Sequence, residues 1–235
     1  MHVKLYSTIG PILILDDVED GQMRLSALFI AAKEATVPPL ELPHGKVPPI
    51  PLAEYDHATV WRARFTLPAD RVSEYRWNGT TYAVAGDLTG DLRLAYVSCN
   101  GEEVGDMERE GSERNAMWER LRSEHQRWPF ALMLHGGDQV YADEVTEGHE
   151  LSQYWPERIP RDPSRAGLDD LRHHLRERFL ERYAALYAAP QFAWLAPKVL
   201  QAVAEGRSYR WIARDLGISK NTVTDIVRRH RQNAL

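Results

Sequence analysis

A short apolar run that ends in two glycines, with acidic and phenolic side chains close behind, constrains this chain more than any other feature. The run covers residues 130–134 and predicts a buried strand, which Gly136 and Gly137 end. The oxygen donors that follow are Asp138, Tyr141, Asp143 and Glu144. Because α/β proteins place their sites at the carboxyl ends of parallel strands, this pattern predicts a functional site. The alternative is a polar loop whose acids are simply solvated.

A strand–helix–strand pattern leads into that run. Residues 92–98 predict a strand, and residues 115–124 predict an amphipathic helix before the central strand. The apolar side of this helix consists of Met117, Trp118 and Leu121. Because such a unit favours a parallel strand pair, Cys99 and Asp138 are expected at neighbouring strand ends, where both could reach one ion.

The first 88 residues predict β structure. Residues 59–67 alternate between apolar and polar side chains, which is typical of a half-buried strand. Asn78-Gly79 between two aromatic-rich runs predicts a hairpin. Residues 25–33 fit either a strand or a short helix. The expected core aromatics are Trp61, Trp77 and Tyr82.

A long amphipathic helix is predicted over residues 169–188. Its apolar side consists of Leu171, Leu175, Phe179, Leu180, Tyr183, Leu186 and Tyr187. His173 and His174 are adjacent, and adjacent helical side chains point about 100° apart, so the pair is not expected to chelate one ion. A surface or structural role is favoured for both.

The last 39 residues, 197–235, differ in charge from the rest. They hold eight basic and three acidic side chains, although the whole chain has a net charge of −5. Residues 197–204 predict a short helix, and two further helices follow around Gly217, each preceded by a capping serine. This spacing is similar to the DNA-binding tails of resolvase-type recombinases and homeodomain-like modules. The residues expected to contact duplex DNA are Ser219, Lys220, Asn221, Thr222, Arg228 and Arg229. The alternative is a three-helix packing appendage with a solvated basic face.

Composition excludes several classes of protein. The single cysteine, Cys99, excludes an internal disulfide and a four-cysteine zinc site. No run approaches the roughly 18 apolar residues that span a bilayer, and the N-terminus lacks a signal-peptide pattern. A soluble cytoplasmic protein without a membrane partner is therefore expected.

The donors near the central strand suggest a metal site. Cys99, Asp138 and Tyr141 would supply a thiolate, a carboxylate and a phenolate, which suit a transition metal such as Fe(III). Two neighbouring ions could clamp a phosphate ester and activate water. The alternative for Cys99 is a buried, inert thiol.

Two segments of the chain carry a family resemblance. Residues 94–101 read Leu-Ala-Tyr-Val-Ser-Cys-Asn-Gly, and residues 134–143 read Leu-His-Gly-Gly-Asp-Gln-Val-Tyr-Ala-Asp. They resemble the PhoD-like (alkaline phosphatase D) branch of the calcineurin-like metallophosphoesterases, which has cysteine at the first ligand position and a Gly-Asp-x-x-Tyr block. The resemblance covers roughly residues 50–195. It implies that Cys99, Asp138 and Tyr141 are metal ligands.

The resemblance also implies a four-layer α/β sandwich after a β-rich N-terminal domain. Its centre would hold two metal ions, Fe and Ca or a similar divalent ion, and would hydrolyse phosphate mono- or diesters. The family's later ligands, an Asp-Asp-His-type block and further aspartate, asparagine or histidine residues, are not found before the basic segment begins. A truncated or chimaeric chain is therefore predicted.

The predicted fold class is α/β. A β-rich domain (1–88) precedes a partial PhoD-like sandwich (89–196) and an all-α helix-turn-helix (197–235). Three functions compete: a metal-dependent phosphoesterase impaired by truncation, a DNA-binding protein carrying a vestigial phosphatase domain, and a non-functional fusion. The expected partners are a phosphate ester substrate and duplex DNA.

Overall fold

The computed structural model describes residues 7–84, 87–88, 90, 92–99, 109–137, 139–158 and 160–203. Within these ranges the chain forms eleven strands and four α-helices. The strands are β1 (Ile9–Glu19), β2 (Gln22–Ala32), β3 (Leu40–Leu42), β4 (Gly45–Val47), β5 (Ile50–Glu54), β6 (Ala58–Pro68), β7 (Ser73–Trp77), β8 (Thr80–Val84), β9 (Leu94–Val97), β10 (Leu132–His135) and β11 (Leu200–Val203). The helices are α1 (Gly111–Arg114), α2 (Ala116–Arg127), α3 (Arg165–Ala188) and α4 (Pro190–Leu195).

The larger sheet is mixed and has the strand order β5-β6-β2-β1-β11-β10-β9. Strands β1, β2, β6 and β5 pair antiparallel, whereas β1, β11, β10 and β9 pair parallel. The boundary predicted near residue 88 therefore does not separate two sheets, because strands from both sides of it share this one. An architecture that combines α-helices with β-sheets is what the sequence predicts at the coarse level.

The strand–helix–strand prediction around the central strand is confirmed. Strand β9 pairs in parallel with β10, with Leu94 opposite Leu132 and Val97 opposite His135. Helix α2 connects them and buries Trp118, whereas Met117 is 68% exposed and does not belong to the buried side. The central strand has no exposed position, so both faces of the sheet are covered there.

The helix predicted over residues 197–204 is wrong. Leu200–Val203 instead form β11, which lies between β1 and β10 and pairs with both. Leu200 and Gln201 are almost fully buried, so packing between two parallel strands outweighs any local helical preference. Four apolar-rich residues are too few for periodicity to distinguish a strand from a helix. The rest of the predicted helix-turn-helix, residues 204–235, lies outside the described residues.

A four-stranded sheet, ordered β4-β3-β7-β8, packs on one face of the larger sheet. The predicted hairpin is confirmed, since Asn78 and Gly79 join β7 to β8, both with positive φ. Phe29 on the larger sheet lies 5.0 Å, ring centre to ring centre, from the buried Trp77 on the smaller sheet. Trp61 and Tyr82 are partly buried beside the same cluster. Residues 25–33, which sequence alone left open, lie almost entirely in strand β2.

The helices cover the opposite face of the larger sheet. A cluster contributed by β9, β10, α2, α3 and α4 is centred on Phe192, which is fully buried. The predicted apolar side of α3 is partly wrong, because Phe179 and Tyr183 are 42% and 41% exposed. The reason is that α3 packs mainly through its C-terminal end, where Ala184 and Leu186 are buried. None of the helices described is both long and apolar enough to cross a membrane.

Candidate functional site

The chain segments after β9 and β10 remain side by side beyond the ends of the strands. The Gly136 N–H donates to the Val97 carbonyl oxygen at 2.8 Å, and the Cys99 N–H donates to the Gly137 carbonyl oxygen at 3.1 Å. Cys99 is exposed and has a positive φ of 55°. The exposed position differs from the buried, inert thiol that was the alternative. Cys99 is thus adjacent to the residue preceding Asp138.

Gly136 is required by a close contact with the neighbouring strand. A Cβ atom at this position would overlap the Tyr96 hydroxyl oxygen and the Cζ atom of the same ring. The Tyr96 ring thus occupies the space that a side chain at residue 136 would need. Gly137 has a φ of 127°, which an L side chain rarely adopts, so it provides the turn.

The loop after the central strand is held against α3 by two arginines. The Arg182 Nε–H donates to the Tyr141 carbonyl oxygen at 3.1 Å, and the Arg182 guanidinium lies 3.6 Å from Glu144 Oε1. Arg178 donates to the Glu144 carbonyl oxygen at 3.3 Å. Glu144 therefore forms an ion pair with Arg182, which gives its carboxylate a structural role and not a metal-ligand role. Asp143 begins a short 3₁₀ turn and is exposed.

A cavity of about 290 Å³ lies beside these strand ends. Its polar lining residues are Tyr96, Ser98, Cys99, Arg114, His135 and Gln139. Its apolar lining residues are Val97, Met117, Trp118, Leu121 and Leu186. An arginine on one wall and apolar side chains on the others suit an organic anion better than a bare inorganic ion.

His135 is buried at the end of β10 and is oriented by Gln201. The Gln201 Nε2–H donates to the Val199 carbonyl oxygen at 2.7 Å, so its Oε1 faces the His135 Nε2 at 2.6 Å. This assigns the proton to Nε2 and leaves Nδ1 as the accepting nitrogen. Burial lowers the pKa of His135, and the hydrogen bond with Gln201 only partly opposes the shift. The imidazole is therefore neutral at neutral pH.

The sequence did not predict the hydrogen bond between His135 and Gln201. No motif marks His135 as functional, and the predicted helix over residues 197–204 included Gln201. A polar side chain at the end of an otherwise apolar strand, just before Gly-Gly, was the available signal for His135. Nothing local marked Gln201, because its role depends on the insertion of β11 beside β10.

The structure describes two of the three predicted metal ligands. Cys99 lines the cavity, and the backbone of Tyr141 is anchored to α3. Asp138 lies outside the described residues. So do all the predicted DNA contacts, Ser219, Lys220, Asn221, Thr222, Arg228 and Arg229. No protein family, curated protein or solved structure matches this chain.

Proposed function

We propose that the chain is a metal-dependent phosphoesterase of the PhoD-like, calcineurin-like type, which hydrolyses phosphate mono- or diesters. The observation that carries the proposal is the hydrogen bond between the Cys99 N–H and the Gly137 carbonyl oxygen. It joins the loop with the cysteine to the loop that continues into Asp138. The parallel strands β9, β10 and β11, covered by helices, support the calcineurin-like sandwich as the finer fold assignment.

Cys99, Asp138 and Tyr141 would hold the metal ions. The donor set fits in kind, since thiolate, carboxylate and phenolate are anionic ligands, and the exposed Cys99 is accessible to an ion. Bound Fe and Ca, or a similar divalent ion, would supply an activated water and neutralise charge on the phosphate. The end of β9 positions Cys99, and the contact with Arg182 positions the Tyr141 backbone.

The cavity residues supply the remaining recognition. Arg114 places a positive charge in the wall, which favours an anionic ester over a neutral one. The Trp118 and Leu121 side chains offer an apolar surface to the organic group of the ester. His135 is held neutral in one tautomer, so it can act as a hydrogen-bond acceptor but brings no second positive charge.

Hydrolysis of p-nitrophenyl phosphate and bis(p-nitrophenyl) phosphate tests the proposal. We expect metal-dependent turnover after the chelated full-length chain is reloaded with Fe and Ca. Cys99→Ser and Asp138→Ala are each expected to lower the rate of metal-dependent hydrolysis about 10- to 100-fold. Replacing residues that support a metal site typically costs this much activity. The matched control is Asp143→Ala, which removes an exposed carboxylate from the same loop. Equal activity in Asp138→Ala and Asp143→Ala, or no metal-dependent turnover, would contradict the proposal.

DNA binding through the C-terminal segment is a second proposal, favoured by charge. Residues 204–235, which lie outside the described residues, hold seven basic and three acidic side chains. If they bind duplex DNA, retardation of a labelled duplex should weaken steeply with added salt. Replacing Arg228 and Arg229 together by alanine should weaken it further, whereas Arg161→Ala, an exposed arginine in the body, should not. Equal retardation of the duplex by the two variants would contradict this role. If the parent chain shows neither phosphoester hydrolysis nor DNA binding, a non-functional fusion is favoured.

A further inference from the structure

A group of three side chains that carry potential metal-ligand atoms lies at the junction of α3 with the larger sheet. Asp56 occupies the turn between β5 and β6, and His173 and Glu177 are one helical turn apart on α3. One ligand atom from each residue lies within 4.8 Å of the other two. The His173 Nε2 is 3.0 Å from Asp56 Oδ2. An imidazole and two carboxylates therefore converge from two separate elements.

The backbone around this group is held in place by other contacts. The Asp56 N–H donates to Glu177 Oε1 at 3.0 Å. The Arg176 guanidinium lies 5.3 Å from the centre of the Tyr55 ring, just before Asp56. Ala58 and Ala184 are buried together where the strand and the helix meet. The turn and the helix are thus fixed relative to each other, and only side chains need to move when an ion binds.

The required movement is small. Ligand atoms at about 2.0–2.2 Å from a common tetrahedral ion are about 3.3–3.6 Å apart, so no pair of ligand atoms must close by more than about 1.5 Å. Spacing of i and i+4 on a helix places His173 and Glu177 on one face, as metal sites built on helices use. Asp56 and His173 are about half exposed, so water can complete the coordination.

We propose that Asp56, His173 and Glu177 form a binding site for a divalent transition-metal ion such as Zn²⁺, separate from the phosphoesterase centre. Two carboxylates balance the charge of the ion, and the imidazole selects a borderline metal over Ca²⁺ or Mg²⁺. When bound, the ion cross-links α3 to the β5–β6 turn. The site therefore stabilises the junction between the helical layer and the antiparallel half of the sheet.

The neighbouring histidine provides a matched control. The His174 Nε2 lies 2.9 Å from the Glu147 carbonyl oxygen, and its ring is 5.4 Å from that of His149. His174 therefore contacts a different part of the chain from His173, as the angle between adjacent helical residues requires. Replacing either histidine removes an imidazole from the same helix, but only one replacement affects the proposed site.

Zinc competition against a chromophoric chelator tests the site. The full-length chain is used without a polyhistidine tag, in a Cys99→Ser background that removes the thiolate of the other centre. We expect one zinc ion to bind per chain. Its affinity should fall about 10-fold or more in His173→Ala and in Glu177→Gln, but not in His174→Ala. Glu177→Gln keeps an oxygen acceptor for the Asp56 N–H, so it separates ligand loss from damage to the junction. Saturating zinc should raise the melting temperature of the parent chain by about 5 °C.

Cobalt substitution identifies the donors. In the same Cys99→Ser background, one equivalent of Co²⁺ should show d–d bands from nitrogen and oxygen donors, and His173→Ala should remove those bands whereas His174→Ala should not. Zinc affinity unchanged by both His173→Ala and Glu177→Gln would overturn the proposal. So would a His174→Ala variant that loses affinity to the same extent as His173→Ala.

Discussion

Replacing Phe192 by alanine is expected to lower the free energy of unfolding by about 3–5 kcal/mol. Phe192 is 0% exposed and lies where α4 meets α2, α3 and the central strand. Its ring centre is 4.4 Å from that of Trp118, 5.0 Å from Tyr187 and 6.2 Å from His135. Alanine would leave a cavity walled by rigid rings, which cannot collapse to fill it. Urea denaturation followed by far-UV circular dichroism measures the change.

The matched control for this prediction is Phe179→Ala. Phe179 lies on α3 and is 42% exposed, so its removal loses less buried area than the removal of Phe192. We expect a cost of about 1–2 kcal/mol, clearly below that of Phe192→Ala, because the loss scales with the buried apolar area. Equal destabilisation by the two substitutions would show that Phe192 is not at the centre of the helical layer. A linear denaturant dependence with an unchanged slope is needed for the comparison.

Replacing Gly136 by alanine is expected to cost about 3 kcal/mol or more, at the upper end for an overpacked site. The new methyl group would overlap the Tyr96 hydroxyl oxygen, Cζ and Cε2, all at less than 3 Å. The ring cannot yield by a small rotation because the whole edge is involved. Since Gly136 also hydrogen-bonds to the Val97 carbonyl oxygen, relief through the backbone would disturb the pairing that places Cys99. Chemical denaturation measures the cost.

A double-mutant cycle assigns this cost to one contact. In a Tyr96→Ala background the clash is absent, so Gly136→Ala should cost less than about 1 kcal/mol. Gly111→Ala serves as the neutral control, because a methyl group there meets no atom within 4 Å. A Gly136→Ala cost that persists in the Tyr96→Ala background would point to the backbone conformation rather than to the ring.

Local patterns predicted the elements around the site well. Alternation placed Ala63, Phe65 and Leu67 on the buried face of β6. The strand–helix–strand order implied a parallel pair, and β9 and β10 form one. Both inferences succeed because each element buries a face that its own residues define. The adjacency of the Cys99 and Gly137 loops follows directly from that pairing.

Long-range packing produced the corrections. Leu200–Val203 resemble a helical segment when read alone, but the gap between β1 and β10 makes them a strand. The regular apolar pattern of α3 suggested one buried side, yet Phe179 and Tyr183 remain exposed because only part of the helix is covered. In each case the deciding factor is a distant neighbour, which local periodicity cannot identify.

The sequence by itself determined strands β6, β9 and β10, the hairpin turn, the glycine turn after the central strand and the donors near it, because these depend on residues close in the chain. The tertiary structure alone decided three further features. It placed strands from both sides of residue 88 in one sheet, oriented His135 through Gln201, and brought Asp56 close to His173 and Glu177. These contacts link residues 66 to 121 positions apart, and only the folded packing of strands and helices can select such partners.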